Sequence, residues 1–110
     1  MDILQDKQGN VAILRLKWRF DAHEVIPVRD WLDGNIEKGQ TRLLIDLAEV
    51  NFIDSSALSI LVHGLKHSRE KGGDLLLCSF QQPVRVIFEL TRLDKAFNIF
   101  PNEQDAVNNF

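Results

Sequence analysis

Residues 43–61 constrain the fold of this chain most. Leu43-Leu44-Ile45-Asp46-Leu47 is apolar on both faces of an extended strand. Shortly after it, Asp54-Ser55-Ser56 opens a stretch in which Leu58, Leu61, Val62 and Leu65 recur at helical spacing. A strand that is apolar on both faces must be covered on both, the usual condition of a parallel sheet flanked by helices. Asp54, Ser55 and Ser56 therefore sit past a strand end and at a helix N-terminus, where backbone N–H groups lack helical partners and the dipole is positive. A hydroxyl placed there can cap the helix, act as a nucleophile or accept a phosphate.

The flanking sequence repeats the alternation. Residues 3–6 read as a short edge strand, Gln8-Gly9-Asn10 as a turn, and residues 11–16 as a strand covered on both faces. Asp21 and Glu24 have the spacing of a capping box, with a helix starting near His23 or Glu24 and burying Val28, Leu32 and Ile36. Gly72-Gly73 stops the helix begun at Ser55, and residues 74–80 form the next strand. Pro83 opens a helix with Val84, Ile87, Phe88 and Thr91 on one face. A short strand within residues 97–100 and a terminal helix carrying Ala106, Val107 and Phe110 complete the order. The expectation is one α/β domain over residues 1–110: a mixed, largely parallel sheet of four to five strands packed against four to five helices.

Several function classes are disfavoured. A net charge of -3 supplies no basic surface for nucleic acid. The apolar runs are too short to span a bilayer, and residues 1–7 lack the basic and apolar regions of a secretory signal. Cys78 stands alone in Leu75-Leu76-Leu77-Cys78, as a small core residue in a reducing cytoplasm would. A serine hydrolase needs a base within reach of the hydroxyl. The Gly-x-Ser-x-Gly elbow is absent, and His63 and His67 lie two and three turns along the helix from Ser55. Those two histidines are four apart, but no third metal ligand is evident and no Glu follows His63, so they read as a solvated helix face and no metal is expected. No glycine-rich phosphate loop or cofactor motif is present.

Two readings of Asp54-Ser55-Ser56 stay open from the residues alone. The first is plain helix capping, which all three residues favour. The second is a regulated contact surface, because the stripe Ser56, Ile60, His63, His67 is expected to project an apolar group, Ile60, among exposed polar residues beside the serine.

The stretch from Leu43 to Leu61, with Phe20-Asp21-Ala22, Lys71-Gly72-Gly73-Asp74-Leu75, Pro83-Val84 and Leu90-Thr91-Arg92-Leu93-Asp94-Lys95-Ala96-Phe97, resembles STAS domains, and among them the bacterial anti-sigma factor antagonists. The matches run in family order over nearly the whole chain. The resemblance implies that Ser55 is a phosphoacceptor for a kinase/anti-sigma factor of the GHKL ATPase type, and that a PP2C-type phosphatase removes the phosphate. It further implies that the unphosphorylated form binds the anti-sigma factor and frees the sigma factor. The contact surface expected for this is Asp21, Asp54, Ser55, Ser56, Ile60, His63 and His67, because Asp21 and Ser55 both follow strand ends that neighbouring strands bring together. The alternative within the resemblance is a subunit of a lipid-trafficking ABC transporter that is not phosphorylated. Ala57, Trp18 and Arg92 depart from the pattern, each standing where the family has or often has glycine.

Overall fold

The computed structural model describes residues 3–110, so Met1 and Asp2 of the stretch read as not being a secretory signal lie outside the described residues. The elements are β1 (Ile3–Gln8), β2 (Val11–Phe20), α1 (Val25–Glu37), β3 (Arg42–Ile53), α2 (Ser55–Glu70), β4 (Asp74–Cys78), α3 (Gln82–Leu90), β5 (Ile99–Phe100) and α4 (Glu103–Val107), with 3-10 turns at Ala22–Glu24 and Leu93–Lys95. The strands form one sheet in the order β1-β2-β3-β4-β5. β1 and β2 are an antiparallel hairpin, and every later pair is parallel. A mixed, largely parallel α/β sheet was the expectation, and it is what forms.

The sheet grows in one direction from β2 to β5, and right-handed crossovers then place the connecting helices on one face. Alternation along the strands matches this. Ala12, Leu14, Leu16, Leu43, Ile45, Leu75 and Leu77 point into a core shared with Val28 and Leu32 of α1, Leu61 and Leu65 of α2, and Val84 and Phe88 of α3. Val11, Ile13, Leu44, Leu76 and Cys78 point the other way, beneath Ala106 of α4, with Val107 and Phe110 packed alongside. Burial pushes the Cys78 thiol up to about 12, so it behaves as a core side chain and not as a nucleophile.

Two glycines set close approaches. A Cβ at Gly64 would stand 2.8 Å from both terminal methyls of Leu32, so the bare backbone lets Leu32 nest between α1 and α2. A Cβ at Gly73 would overlap the carbonyl oxygen of Thr41 at 2.0 Å, where β4 joins β3.

Three strands are longer than expected: β1 runs to Gln8, and the two that lead to the Asp21 and Asp54 turns are extended further. β2 continues to Phe20 and β3 to Ile53, with Phe20 opposite Ile53. This carries the turns at Asp21 and Asp54 to the same end of the sheet. The register shifts between Trp18 and Arg19, and Trp18 takes a left-handed φ of 72. Arg92 likewise has φ 64, directly after the end of α3. Glycine accepts this conformation without penalty, which fits the glycine that the resemblance leads one to expect at both positions.

Candidate functional site

Asp54 joins the two turns at the sheet end. It is the N-cap of α2, its Oδ1 accepting from the Ala57 N–H at 3.0 Å. Its Oδ2 accepts from the Ala22 N–H at 3.1 Å, and its own N–H donates to the Phe20 carbonyl at 3.3 Å. One carboxylate thereby holds the start of α2 against the turn after β2. Asp21 organises that turn: Oδ1 accepts from the His23 N–H at 3.1 Å and faces His23 Nδ1 at 3.2 Å, while Arg19 Nε donates to Oδ2 at 3.4 Å. The hydrogen bond from the His23 backbone, more than the side chains, holds the Asp21 carboxyl below its usual range.

Because Asp54 supplies the cap, the Ser55 hydroxyl is not spent on the helix N-terminus. Ser55 is the first helical residue and is exposed, whereas Ser56 is half-buried. Of the two open readings, capping belongs to Asp54, which leaves Ser55 a hydroxyl at a dipole-positive helix end, open to solvent.

The face expected to surround Ser55 is different. Ile60 is only 7% exposed and belongs to the core. It is a correction to the expectation of an exposed apolar knob: α1 lies along that flank of α2 and covers it. The residues that share the outer face with Ser55 are Ser59, which is exposed, and the half-buried Leu58 and Val62. Leu58 and Val62 are accordingly not at the centre of the core, as their spacing suggested.

His63 and His67 are also displaced from the expected arrangement. They are not simply solvated. His63 Nε2 lies 2.9 Å and His67 Nδ1 3.0 Å from the same oxygen, Oδ1 of Asp33 on α1. The third partner that the sequence did not reveal is thirty residues away, and only the α1–α2 packing supplies it. His63 stands eight residues from Ser55, about 12 Å along the helix axis, so the structure does not bring the histidines to the serine.

Asp46, the polar residue of the central strand, faces α4. It lies in a cluster with Arg15 and Glu103. Arg15 binds Glu103 through two bonds of 2.6 and 2.8 Å and meets Asp6 at 3.0 Å. Burial, aided by a hydrogen bond to Glu103, raises the Asp46 carboxyl to about 6. The Arg15 guanidinium, with Asp46 as a second partner, lowers Glu103 to about 2. Of the two acids, Asp46 is therefore the one that holds a proton, and it does so below about pH 6.

At the sheet end, two aromatic side chains, Phe52 and Trp18, add apolar surface. Phe52 is 40% exposed, with the Arg19 guanidinium 4.0 Å above its ring, and Trp18 is 59% exposed. The available signal was an aromatic residue two positions before Asp54, at the end of an otherwise buried strand.

A mixed, largely parallel α/β sheet with an exposed serine at the start of a capped helix at one sheet end is the architecture of a STAS-type domain. The chain matches the STAS domain over residues 2–106, and it belongs to that family. It is similar to the anti-sigma F factor antagonist of Paenibacillus polymyxa, with 29% identity over 97% of this chain and 92% of that protein. Among solved structures, it resembles an anti-sigma-factor antagonist (STAS) domain protein from Planctomyces limnophilus, with TM-score 0.85 and 26% identity over 96% of this chain and 95% of that one. The anti-sigma factor antagonist SpoIIAA in its unphosphorylated form shares the fold, with TM-score 0.79 and 16% identity over 99% of this chain and all of that one. Among the described residues no helix is long and apolar enough to cross a membrane.

Proposed function

We propose that this chain is an anti-sigma factor antagonist, a cytoplasmic binding protein and not an enzyme, whose contact with a GHKL-type anti-sigma factor/serine kinase is switched by phosphorylation of Ser55. A PP2C-type phosphatase resets the switch. The observation that carries the reading is the division of labour at the start of α2: Asp54 makes the cap and ties in the Asp21 turn, and Ser55 is left exposed beside them. The relatives named anti-sigma factor antagonists support the same reading. The contact surface comprises the Asp21 turn, Asp54, Ser55, Ser56 and the outer face of α2 at Leu58 and Ser59. Exposed Phe52 and Trp18 supply the apolar anchors that such interfaces use.

The switch acts locally. Phosphate adds about −1.5 to −2 charges at neutral pH. The helix N-terminus attracts it by roughly 0.3–1 kcal/mol, while Asp54 and Asp21 repel it. Asp46 faces α4 beside Glu103 and takes no part. The free protein accommodates the phosphate. Docking would bury an uncompensated dianion, at a cost of several kcal/mol.

The test is intact-mass and phosphopeptide analysis after coexpression with a candidate GHKL-type kinase. One phosphate on Ser55 is expected, with Ser55→Ala binding the kinase constitutively and Ser55→Asp binding poorly. Phosphate on Ser56 with Ser55 unmodified overturns the assignment.

A further inference from the structure

Away from the Ser55 end, α1 and α2 carry a cluster that the proposed switch does not use. Asp33, His63 and His67 present one ligand atom each, and these three atoms lie within 4.8 Å of one another. The histidines are one helical turn apart on α2, the spacing at which two imidazoles reach one ion. Asp33 comes from the neighbouring helix, placed there by the close α1–α2 approach at Gly64.

We propose that Asp33, His63 and His67 form a binding site for a divalent transition metal, best matched by Zn2+, that clasps α1 to α2. The distances support this. Two edges of the ligand triangle measure 2.9 and 3.0 Å. A tetrahedral ion with bonds of about 2.0–2.1 Å needs ligand atoms about 3.3 Å apart. Those two edges need to open by only a few tenths of an ångström, and the third, between the two histidine nitrogens, lies within 4.8 Å, so side-chain adjustment turns the hydrogen-bonded trio into one face of a coordination tetrahedron. The two rings are tilted by 55° with centroids 5.8 Å apart, so they do not stack and their nitrogens converge on Asp33 Oδ1. Two imidazoles and one carboxylate suit Zn2+ and the neighbouring late first-row ions, whereas Mg2+ and Ca2+ prefer oxygen. The side chains of His63, His67 and Asp33 are 45%, 26% and 29% exposed, which gives an ion an entry path and leaves a fourth position for water.

The test uses the untagged full chain and Zn2+ alone, by equilibrium dialysis with metal analysis and by thermal melts with and without added Zn2+. One Zn2+ per chain is expected, with a melt that rises as Zn2+ is added because the ion binds the folded state. Asp33→Asn, His63→Gln and His67→Gln should each weaken binding by at least about 100-fold, more than the loss of a supporting partner around a metal. His23→Gln, which alters the remaining histidine, should bind like the parent. Circular dichroism of each metal-free variant checks the fold, and His63→Gln, at the most exposed of the three positions, decides the matter if Asp33→Asn does not fold. Failure to retain Zn2+ at about 100 μM free metal overturns the proposal. So does undiminished binding by a His63→Gln/His67→Gln double variant. Neither result bears on phosphorylation of Ser55.

Discussion

Replacing Asp54 separates its two structural roles. Alanine removes both bonds that the carboxylate accepts, from Ala57 N–H at the start of α2 and from Ala22 N–H in the adjoining turn. Loss of an N-cap costs about 1 kcal/mol. The second bond runs to a charged acceptor at an exposed position and contributes about 1 kcal/mol. Asp54→Ala should therefore lose about 2 kcal/mol, or roughly 8 °C in Tm for a domain of this size. Serine caps nearly as well but is too short to reach Ala22 at the same time, so Asp54→Ser should lose only about 1 kcal/mol. Asparagine keeps one oxygen and turns its NH2 toward the other donor, so Asp54→Asn should fall between the two. Urea denaturation measures the totals, with an unchanged m-value showing that two-state unfolding is preserved. Hydrogen exchange assigns the parts: Asp54→Ser should speed exchange at the Ala22 amide and leave Ala57 protected. If Asp54→Ser were as costly as Asp54→Ala, with both amides equally exposed, the division of roles would be wrong.

Three further outcomes follow from the packing and the charges. Ile60→Glu should lower stability by at least about 3 kcal/mol, since it removes a core side chain and buries a charge; a thermal melt within 2–3 °C of the parent, roughly 1 kcal/mol or less, would return Ile60 to the surface. Asp46 has a folded carboxyl value of about 6, above the unfolded value of about 3.9, so its ionisation weakens the fold as pH rises through 6; Asp46→Asn, which can still donate to Glu103, should gain about 1–2 kcal/mol near pH 8 and nothing near pH 4, by urea melts at both. An equal gain at both pH values would refute this assignment. Arg92→Gly should relieve the left-handed conformation at φ 64 and raise stability by about 0.5–1 kcal/mol after the added chain entropy is counted, and a lower Tm would show that the arginine side chain holds the turn.

Local patterning determined much of this protein. The two-sided apolar runs around Leu43 and Leu75 required a sheet covered on both faces, and Val28, Leu32 and Ile36 at helical spacing marked the buried side of α1. Asp54-Ser55-Ser56 announced a helix start, because capping is a property of adjacent residues. What the sequence could not determine was set by contacts between distant segments. The flank of α2 that carries Ile60 would be open on an isolated helix, and it is buried because α1 crosses it. Asp33 meets His63 and His67 across thirty residues, so spacing along the chain held no sign of the cluster. Trp18 and Arg92 read as departures from glycine, and only the backbone shows that each occupies a left-handed position. Periodicity reports which side of an element is apolar, whereas the neighbour that covers it, and the polar groups brought to that seam, depend on how the elements pack.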